Sequence, residues 1–150
     1  MIYGIDPASK KIAIFGGDPL HARTIKVAKT QRSEELNKLR TVLTDVIGDN
    51  DTVYVEEPVL AGARNIRSTL LVAETVGMVL SVCRAHLVEV STWKKSTVGK
   101  GNASKDDVRI WLERAYPAYA QACAGDQDLI DAAAIFVHGR GVERLMGRRQ

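Results

Sequence analysis

The sequence is poor in the residues that build zinc sites and disulfide frameworks. It has two cysteines and three histidines among 150 residues. Cys83 and Cys123 lie far apart and show no metal-ligand spacing with any histidine. This excludes a zinc-finger module and a disulfide-stapled scaffold, and it predicts two reduced thiols that serve in packing.

Long apolar runs are also missing. No run approaches the roughly 20 residues that span a bilayer, and no charged leader precedes the first apolar stretch, so we expect no membrane segment and no signal peptide. These absences predict a cytoplasmic protein. A chain of 150 residues has the usual size of one domain with its own core, so residues 1–150 are predicted to form a single domain.

Acids are scarce in two stretches of a chain whose net charge is +3. Residues 94–105, "KKSTVGKGNASK", carry four lysines and no acid, and the C-terminal segment carries four arginines against Glu143. Such patches suit a polyanion, and the alternative is an ordinary solvated surface. The basic residues are Lys94, Lys95, Lys100, Lys105, Arg140, Arg144, Arg148 and Arg149.

Hydrophobic periodicity predicts an α/β fold in the order three strands, helix, strand, helix, strand and two helices. The first two strands form an antiparallel hairpin and the later strands run parallel, which gives a five-stranded mixed sheet flanked by helices. The predicted strands are 1–6, 11–17, 20–29, 51–59 and 87–93. The predicted helices are 33–49, 66–85, 103–117 and 126–141.

Polar and special residues mark the ends of three predicted helices. Ser33 is a candidate cap of the first helix, and Ser104 with Asp107 has the spacing of a capping box. Pro117 is expected to end the same helix as that box. Either Gly139 or Gly141 is expected near the end of the last helix.

The last predicted helix contains "DQDLIDAAAIFV", in which Asp128 and Asp131 precede an apolar run. Steps of three or four residues return to the same side of a helix, so both carboxylates point together. Acids at a helix N-terminus are often caps or dipole partners, which explains Asp126 and allows for Asp128. Asp131 lies one turn further in, where capping offers less explanation.

Acids also end two predicted strands. Asp6 ends the first strand, and Glu56 and Glu57 end the fourth. In open α/β sheets, sites gather at the carboxyl ends of strands. If these strands are adjacent and parallel, their acids meet there, and the last helix can add Asp128 and Asp131.

Such a cluster needs cations or protons. Two carboxylates about 5 Å apart repel by roughly 3 kcal/mol at an effective dielectric near 20. Oxygen ligands without cysteine or histidine select Mg²⁺ or Mn²⁺, and two such ions form a clamp that hydrolyses phosphodiesters. The pattern therefore predicts a two-metal site.

Four blocks of the sequence resemble, in order, the RuvC family of Holliday-junction resolvases, members of the RNase H-like superfamily. The blocks are "GIDPASKKIAI", "VYVEEP", "WKKSTVGKGNASKDDV" and "DLIDAAAIFVHG", and together they span nearly the whole chain. The third, a Gly-x-Gly-x-Ala-x-Lys run from Gly99 to Lys105 that is expected to join a strand to a helix, is the most specific.

The resemblance implies a site and a substrate. It implies that Asp6, Glu56, Asp128 and Asp131 hold two Mg²⁺ or Mn²⁺ ions, and it selects Glu56 over Glu57. It further implies that Lys94 assists at the scissile phosphate and that the substrate is four-way or other branched DNA. The candidate DNA contacts are Lys94, Lys95, Lys100, Lys105, Arg64 and Arg67.

The resemblance also implies a homodimer, and residues 66–85 are expected to contribute to its interface or, alternatively, to the core. Bacterial members carry an aromatic residue shortly after the glutamate of the fourth strand, where this chain has Val59 and Leu60. This departure leaves junction selectivity open and is compatible with a compact viral-type member, which would act in a host cytoplasm.

Two other functions are compatible with the same pattern. One is a branched-DNA-binding module without catalysis, whose acids are structural. The other is an ATPase of the actin and sugar-kinase type, which also starts with "GID" but usually needs two such domains. The leading hypothesis is a metal-dependent endonuclease.

Overall fold

The computed structural model describes residues 1–59 and 66–147. Four residues considered above, Leu60, Arg64, Arg148 and Arg149, lie outside the described residues. The elements are β1 (Ile2–Pro7), β2 (Lys11–Gly16), β3 (His21–Lys26), α1 (Arg32–Val46), β4 (Thr52–Glu56), α2 (Ile66–Val82), β5 (Arg84–Val88), α3 (Val90–Thr97), α4 (Lys105–Ala115), α5 (Pro117–Cys123) and α6 (Gln127–Gly147).

The strands form one mixed sheet in the order β3-β2-β1-β4-β5. β1, β2 and β3 pair antiparallel, whereas β4 runs parallel to both β1 and β5. The predicted five-stranded mixed sheet is therefore confirmed, and the first and fourth strands meet the condition stated above, since they are adjacent and parallel. Because β1 and β4 are parallel neighbours, their carboxyl ends meet at one edge of the sheet.

Helices cover both faces of the sheet. α1 and α2 pack on one face, where Leu39, Leu43, Val76 and Val79 meet the β-branched side chains of the strands. α6 packs on the other face, with α3, α4 and α5 beside it. None of the helices in the described part of the chain combines the length and the apolar character needed to cross a lipid bilayer.

The backbone of α6 lies directly on β1. A Cβ atom added to Gly4 would lie 2.2 Å from the carbonyl oxygen of Ala132 and 2.4 Å from the amide nitrogen of Phe136. Only glycine permits so close an approach. Asp6 follows Gly4 by two residues, and Asp131 directly precedes Ala132, so this contact brings the acidic start of α6 to the end of β1.

The fifth strand and the following segment differ from the prediction. β5 is Arg84–Val88 rather than 87–93, and α2 ends at Val82 rather than at residue 85. Residues 90–97 form α3. The β-branched residues there favour a strand, but helical geometry buries Trp93, which is 1% exposed. The Gly99–Lys105 run consequently joins two helices, α3 and α4.

The predicted cap of the first helix was wrong. α1 begins at Arg32 after Gln31, and Ser33 does not cap it; the Glu35 carboxylate instead accepts a hydrogen bond from the Thr30 amide at 3.1 Å. α4 ends at Ala115, just before Pro117 as predicted, and Pro117 then begins α5, because proline suits the first helical position, where no amide is needed.

The last helix continues past both glycines that were expected near its end. α6 extends to Gly147, and Gly139 is buried within it. The capping box of α4 was predicted correctly, since Ser104 and Asp107 exchange both hydrogen bonds.

Candidate active site

The predicted acids of the first and fourth strands face the same side of the sheet. In the β1–β4 pairing, Gly4 lies beside Tyr54 and Ile5 beside Val55, so the next residues along the strands, Asp6 and Glu56, come side by side. Gly4 lies under α6, and Tyr54 belongs to the core beneath that helix. Because side chains alternate along strands, Asp6 and Glu56 point toward α6 as well.

The start of α6 delivers the other two acids. Asp126 caps this end, since its side chain accepts hydrogen bonds from the Asp128 amide at 3.0 Å and from the Thr24 hydroxyl at 2.8 Å. Asp128 and Asp131 are half-buried on the helix beyond that cap. The capping explanation therefore fits Asp126 and is not needed for the other two.

The four carboxylates are close enough to perturb one another. Burial, the largest cause, and the charges of Glu56, Asp131 and Asp128 together raise the pKa of Asp6 from its usual 3.8 to about 8, although the nearby Lys11 lowers it. Burial also raises the pKa of Glu56 and of Asp131. A cluster that holds a proton or a cation is therefore more stable at this rim than four ionised carboxylates alone.

Three of the acids have specific polar partners. Lys11 forms an ion pair with Asp128. The indole nitrogen of Trp93 donates to Glu56 Oε2 at 3.0 Å, and the Gln127 amide donates to Asp131 Oδ1 at 3.0 Å. In this arrangement, no group of three or more His, Cys, Asp or Glu side chains within residues 1–59 and 66–147 is already positioned to hold a metal ion.

The donor set nevertheless suits a hard divalent cation. All four acids offer carboxylate oxygens, the ligands that Mg²⁺ and Mn²⁺ prefer. The raised pKa of Asp6 reflects burial and repulsion that a divalent cation would relieve. Metal binding would require the carboxylates to exchange their present partners, Lys11, Trp93 and Gln127, for the ion.

The predicted lysines divide into two groups. Lys94 and Lys105 act electrostatically on both Glu56 and Asp131, lowering their pKa values. The Lys94 ammonium is held by the carbonyl oxygen of Ala103 at 2.7 Å and lies 5.5 Å from the centre of the Trp93 ring.

The other residues predicted to contact DNA do not lie beside the four acids. Lys95 and Lys100 are exposed, and Lys100 acts on Asp107 of α4. Arg67 is exposed on the first turn of α2 and lines a cavity on the opposite face of the sheet. Arg64 lies outside the described residues.

Sequence reasoning missed two residues that contact the acids. Lys11 lies on β2, two residues before Ala13, which pairs with Asp6, so strand alternation places Lys11 on the same face as Asp6. That signal was available. Trp93 was assigned to a strand, and its contact with Glu56 depends on α3, which the local pattern did not indicate.

Comparisons with known proteins agree with this architecture. No family model matches the chain. The chain is similar to a curated protein of Erythrobacter litoralis (strain HTCC2594), described as "Crossover junction endodeoxyribonuclease RuvC", with 28% identity over 123 residues that cover 79% of this chain and 76% of that protein.

The fold is that of two solved structures. The Thermus thermophilus RuvC structure matches with a TM-score of 0.66 at 16% identity, covering 96% of this chain and 95% of the other. The structure of T. thermophilus RuvC in complex with a Holliday junction substrate matches with a TM-score of 0.63 at 18% identity, covering 90% and 89%. The predicted RNase H-like fold is confirmed. The strand order and the acids at the rim agree with the resemblance to the RuvC family that the four sequence blocks indicate.

Proposed function

We propose that this protein is a divalent-metal-dependent endonuclease that nicks four-way or otherwise branched DNA. The observation that carries the proposal is the convergence of four carboxylates at one rim of the sheet, where the pKa of Asp6 is raised to about 8. The similarity to a crossover junction endodeoxyribonuclease supports the choice of substrate. So does the shared fold with a RuvC protein solved on a Holliday junction.

Asp6, Glu56, Asp128 and Asp131 would hold the metal, Mg²⁺ or Mn²⁺, as two ions per site. When bound, the ions supply an activated water and stabilise the charge on the leaving oxygen. The burial of Asp6 and Glu56 keeps these ligands on rigid strand ends, and α6 fixes the spacing of the two aspartates. Two-metal chemistry requires metal ligands that the protein holds rigidly.

Lys94 is proposed to act on the scissile phosphate. Its ammonium lies near Glu56 and Asp131, and the Ala103 carbonyl oxygen holds it in place. An ammonium at this position can contact a phosphate oxygen that becomes more negative during hydrolysis. Lys105 can make a second contact at the same rim. Lys95 and Lys100 are proposed to contact phosphates further along the DNA without reading its sequence.

The decisive experiment compares substitutions of the proposed metal ligands with a substitution of Glu57, the neighbour of Glu56. Glu56→Gln and Asp6→Asn are expected to abolish Mg²⁺-dependent nicking of a labelled synthetic four-way junction, by about a thousandfold or more, while junction binding persists. Glu57→Gln is the matched control and is expected to retain activity, because the charge of Glu57 is not among those that shift the pKa values of Asp6, Glu56 and Asp131.

Full activity of Asp6→Asn would refute the proposed site. A wild-type protein that binds junctions without cutting them in Mg²⁺ or Mn²⁺ would instead favour the non-catalytic binding module. A panel of four-way, three-way, flap and linear duplex substrates would then define which branched structure is preferred.

We further propose that the protein acts as a homodimer through α2. This helix exposes Ile66, Leu70 and Leu80, which are 51%, 56% and 41% exposed, on one side. Gly77 lies on the same side with open space around it. An apolar stripe of this kind is typical of an interface. Sedimentation equilibrium should report a dimer that Leu70→Glu dissociates, whereas Leu145→Glu, at an exposed leucine of α6, leaves it intact.

A further inference from the structure

The face of the sheet opposite the acids carries a basic cavity that the proposed chemistry does not use. Its volume is about 390 Å³. It lies where the β1–β2 turn, the start of α1 and the start of α2 meet. Four cationic side chains and one acid line it, together with Thr30 and Leu71; these charged residues are Lys10, Lys29, Arg32, Arg67 and Glu35.

Arg32 fixes the walls of this cavity, and its charge is offset by Glu35 and by Glu74, whose Oε2 lies 2.5 Å from Arg32 Nε. The Arg32 guanidinium donates to the carbonyl oxygens of Ser9 and Leu71, and it pairs with Glu35 at 3.3 Å. A hydrogen bond from the Thr30 amide, assisted by Arg32, holds the pKa of Glu35 below its usual range. Arg32 is therefore a structural tie between three elements, and Glu35 stays ionised as its partner.

The remaining cations are available to a ligand. Lys29 and Arg67 are exposed, and neither forms an ion pair with any residue that the structure describes. The Lys10 ammonium lies 3.9 Å from Glu35 Oε1, whereas Arg32 pairs with the other oxygen of that carboxylate, Oε2. The cavity thus presents an excess of positive charge in a concave site with fixed walls, which is the chemistry that recognises phosphate groups.

The cavity is close to the acid cluster along the chain. Lys10 and Lys11 are consecutive, so their Cα atoms are about 3.8 Å apart. Lys10 faces Glu35 on α1, whereas Lys11 faces Asp128 on α6. The β1–β2 turn is therefore a narrow ridge with the acids on one side and the basic cavity on the other.

We propose that this cavity binds backbone phosphates of the DNA arm that continues past the cleaved phosphate and over the β1–β2 turn, an inference that rests on the proposed function. Lys29 and Arg67 make the phosphate contacts, and Lys10 adds to the positive electrostatic potential of the cavity. Phosphate contacts carry no sequence information and do not depend on branching. The cavity therefore adds affinity for linear and branched DNA alike, and it fixes how a junction arm leaves the active site.

The salt dependence of DNA binding tests this proposal, because each phosphate contact contributes about 0.9 to the slope of log K against log[salt]. Affinity for a labelled four-way junction and for a linear duplex is measured between 50 and 200 mM salt, with EDTA to prevent cleavage. The double variant Lys29→Ala/Arg67→Ala is expected to reduce the slope by about 1.8 and to weaken binding at least tenfold at low salt, equally for both DNAs.

The matched control is Lys38→Ala/Arg40→Ala, which removes the same two charges from exposed positions of α1 outside the cavity. An unchanged slope in Lys29→Ala/Arg67→Ala, or an equal change in the control, overturns the proposal while the nuclease function stands. If the wild-type protein binds neither DNA, the proposed function fails and this inference fails with it. Circular dichroism of each variant shows that folding is retained.

Discussion

Lys11 forms an ion pair with Asp128 across the gap between β2 and α6. The ammonium lies beside an acid that the proposed function assigns to metal binding, and Lys11 also acts electrostatically on Asp6. Without a metal, this lysine supplies positive charge to Asp6 and Asp128, as Lys94 and Lys105 do to Glu56 and Asp131. A metal ion must therefore compete with it for Asp128.

We expect Lys11→Met to bind Mn²⁺ more tightly than the wild type. Loss of the competing ammonium, in a pair that is 36% and 25% exposed, should improve affinity by roughly two- to tenfold. Isothermal titration calorimetry measures this directly, with Lys38→Met as the control. Equal or weaker metal binding by Lys11→Met would show that Lys11 does not compete with the ion.

The metal-free protein is expected to lose stability as the pH rises. Asp6 has a pKa of about 8 in the folded state and about 3.8 in the unfolded chain. Between these values the folded state holds a proton that the unfolded state releases, so the free energy of unfolding falls from about pH 4 to about pH 8. The contribution of this one group is a few kcal/mol at most.

Asp6→Asn should flatten this profile. Because the variant removes the charge, its melting temperature at pH 8 in EDTA should exceed that of the wild type, and added Mg²⁺ should stabilise it less. The stability of Asp6→Asn should still fall somewhat as the pH rises, because burial also raises the pKa values of Glu56 and Asp131. Thermal melts from pH 5 to pH 9 test this, with the exposed Asp45→Asn as control; identical slopes for Asp6→Asn and wild type would contradict the burial of Asp6.

Strand and helix periodicity predicted the part of the site that regular elements hold. Asp6 was predicted at the end of the first strand and lies one residue before the end of β1, and the three-residue spacing of Asp128 and Asp131 puts both on one helix face. The parallel adjacency of β1 and β4 then brings Glu56 to the same rim. These relations follow from two backbone periods and one rule of sheet topology.

Tertiary burial decided the parts that periodicity did not predict. "VSTW" has strand-forming residues, yet it begins α3 because helical geometry buries Trp93. The choice between Glu56 and Glu57 came from family resemblance; in the folded chain, Glu56 shares the face of Tyr54 beneath α6. Gly139 resembles a helix end in sequence, but its role is set by the Tyr54 ring against it.

Trp93→Phe should weaken metal binding and cleavage while the protein still folds. The indole nitrogen donates to Glu56 Oε2 at 3.0 Å, and phenylalanine keeps an aromatic ring in the buried site but removes that donor. Groups that orient a metal ligand typically contribute 10- to 100-fold to affinity or activity. Calorimetry with Mn²⁺ and junction cleavage measure both effects.

Trp111→Phe is the control for this variant, since the Trp111 ring lies on α4 and packs against Tyr116 rather than against the acids. It should leave metal affinity and cleavage near wild-type values. A Trp93→Phe protein with unchanged metal affinity would mean that Glu56 is oriented by its strand alone.

Two glycines of α6 offer a matched test of how this helix is seated on the sheet. A Cβ atom at Gly139 would lie 2.3 Å from Tyr54 Cδ2, whereas one at Gly141 meets nothing within 4 Å. Gly139→Ala should therefore lower the free energy of unfolding by about 1–3 kcal/mol through overpacking. Gly141→Ala should raise it by about 0.5–1 kcal/mol, since alanine favours the helix. Urea denaturation distinguishes the two.

Because α6 carries Asp128 and Asp131, Gly139→Ala should also reduce cleavage. Equal effects of the two substitutions would contradict the close packing of α6 on β4.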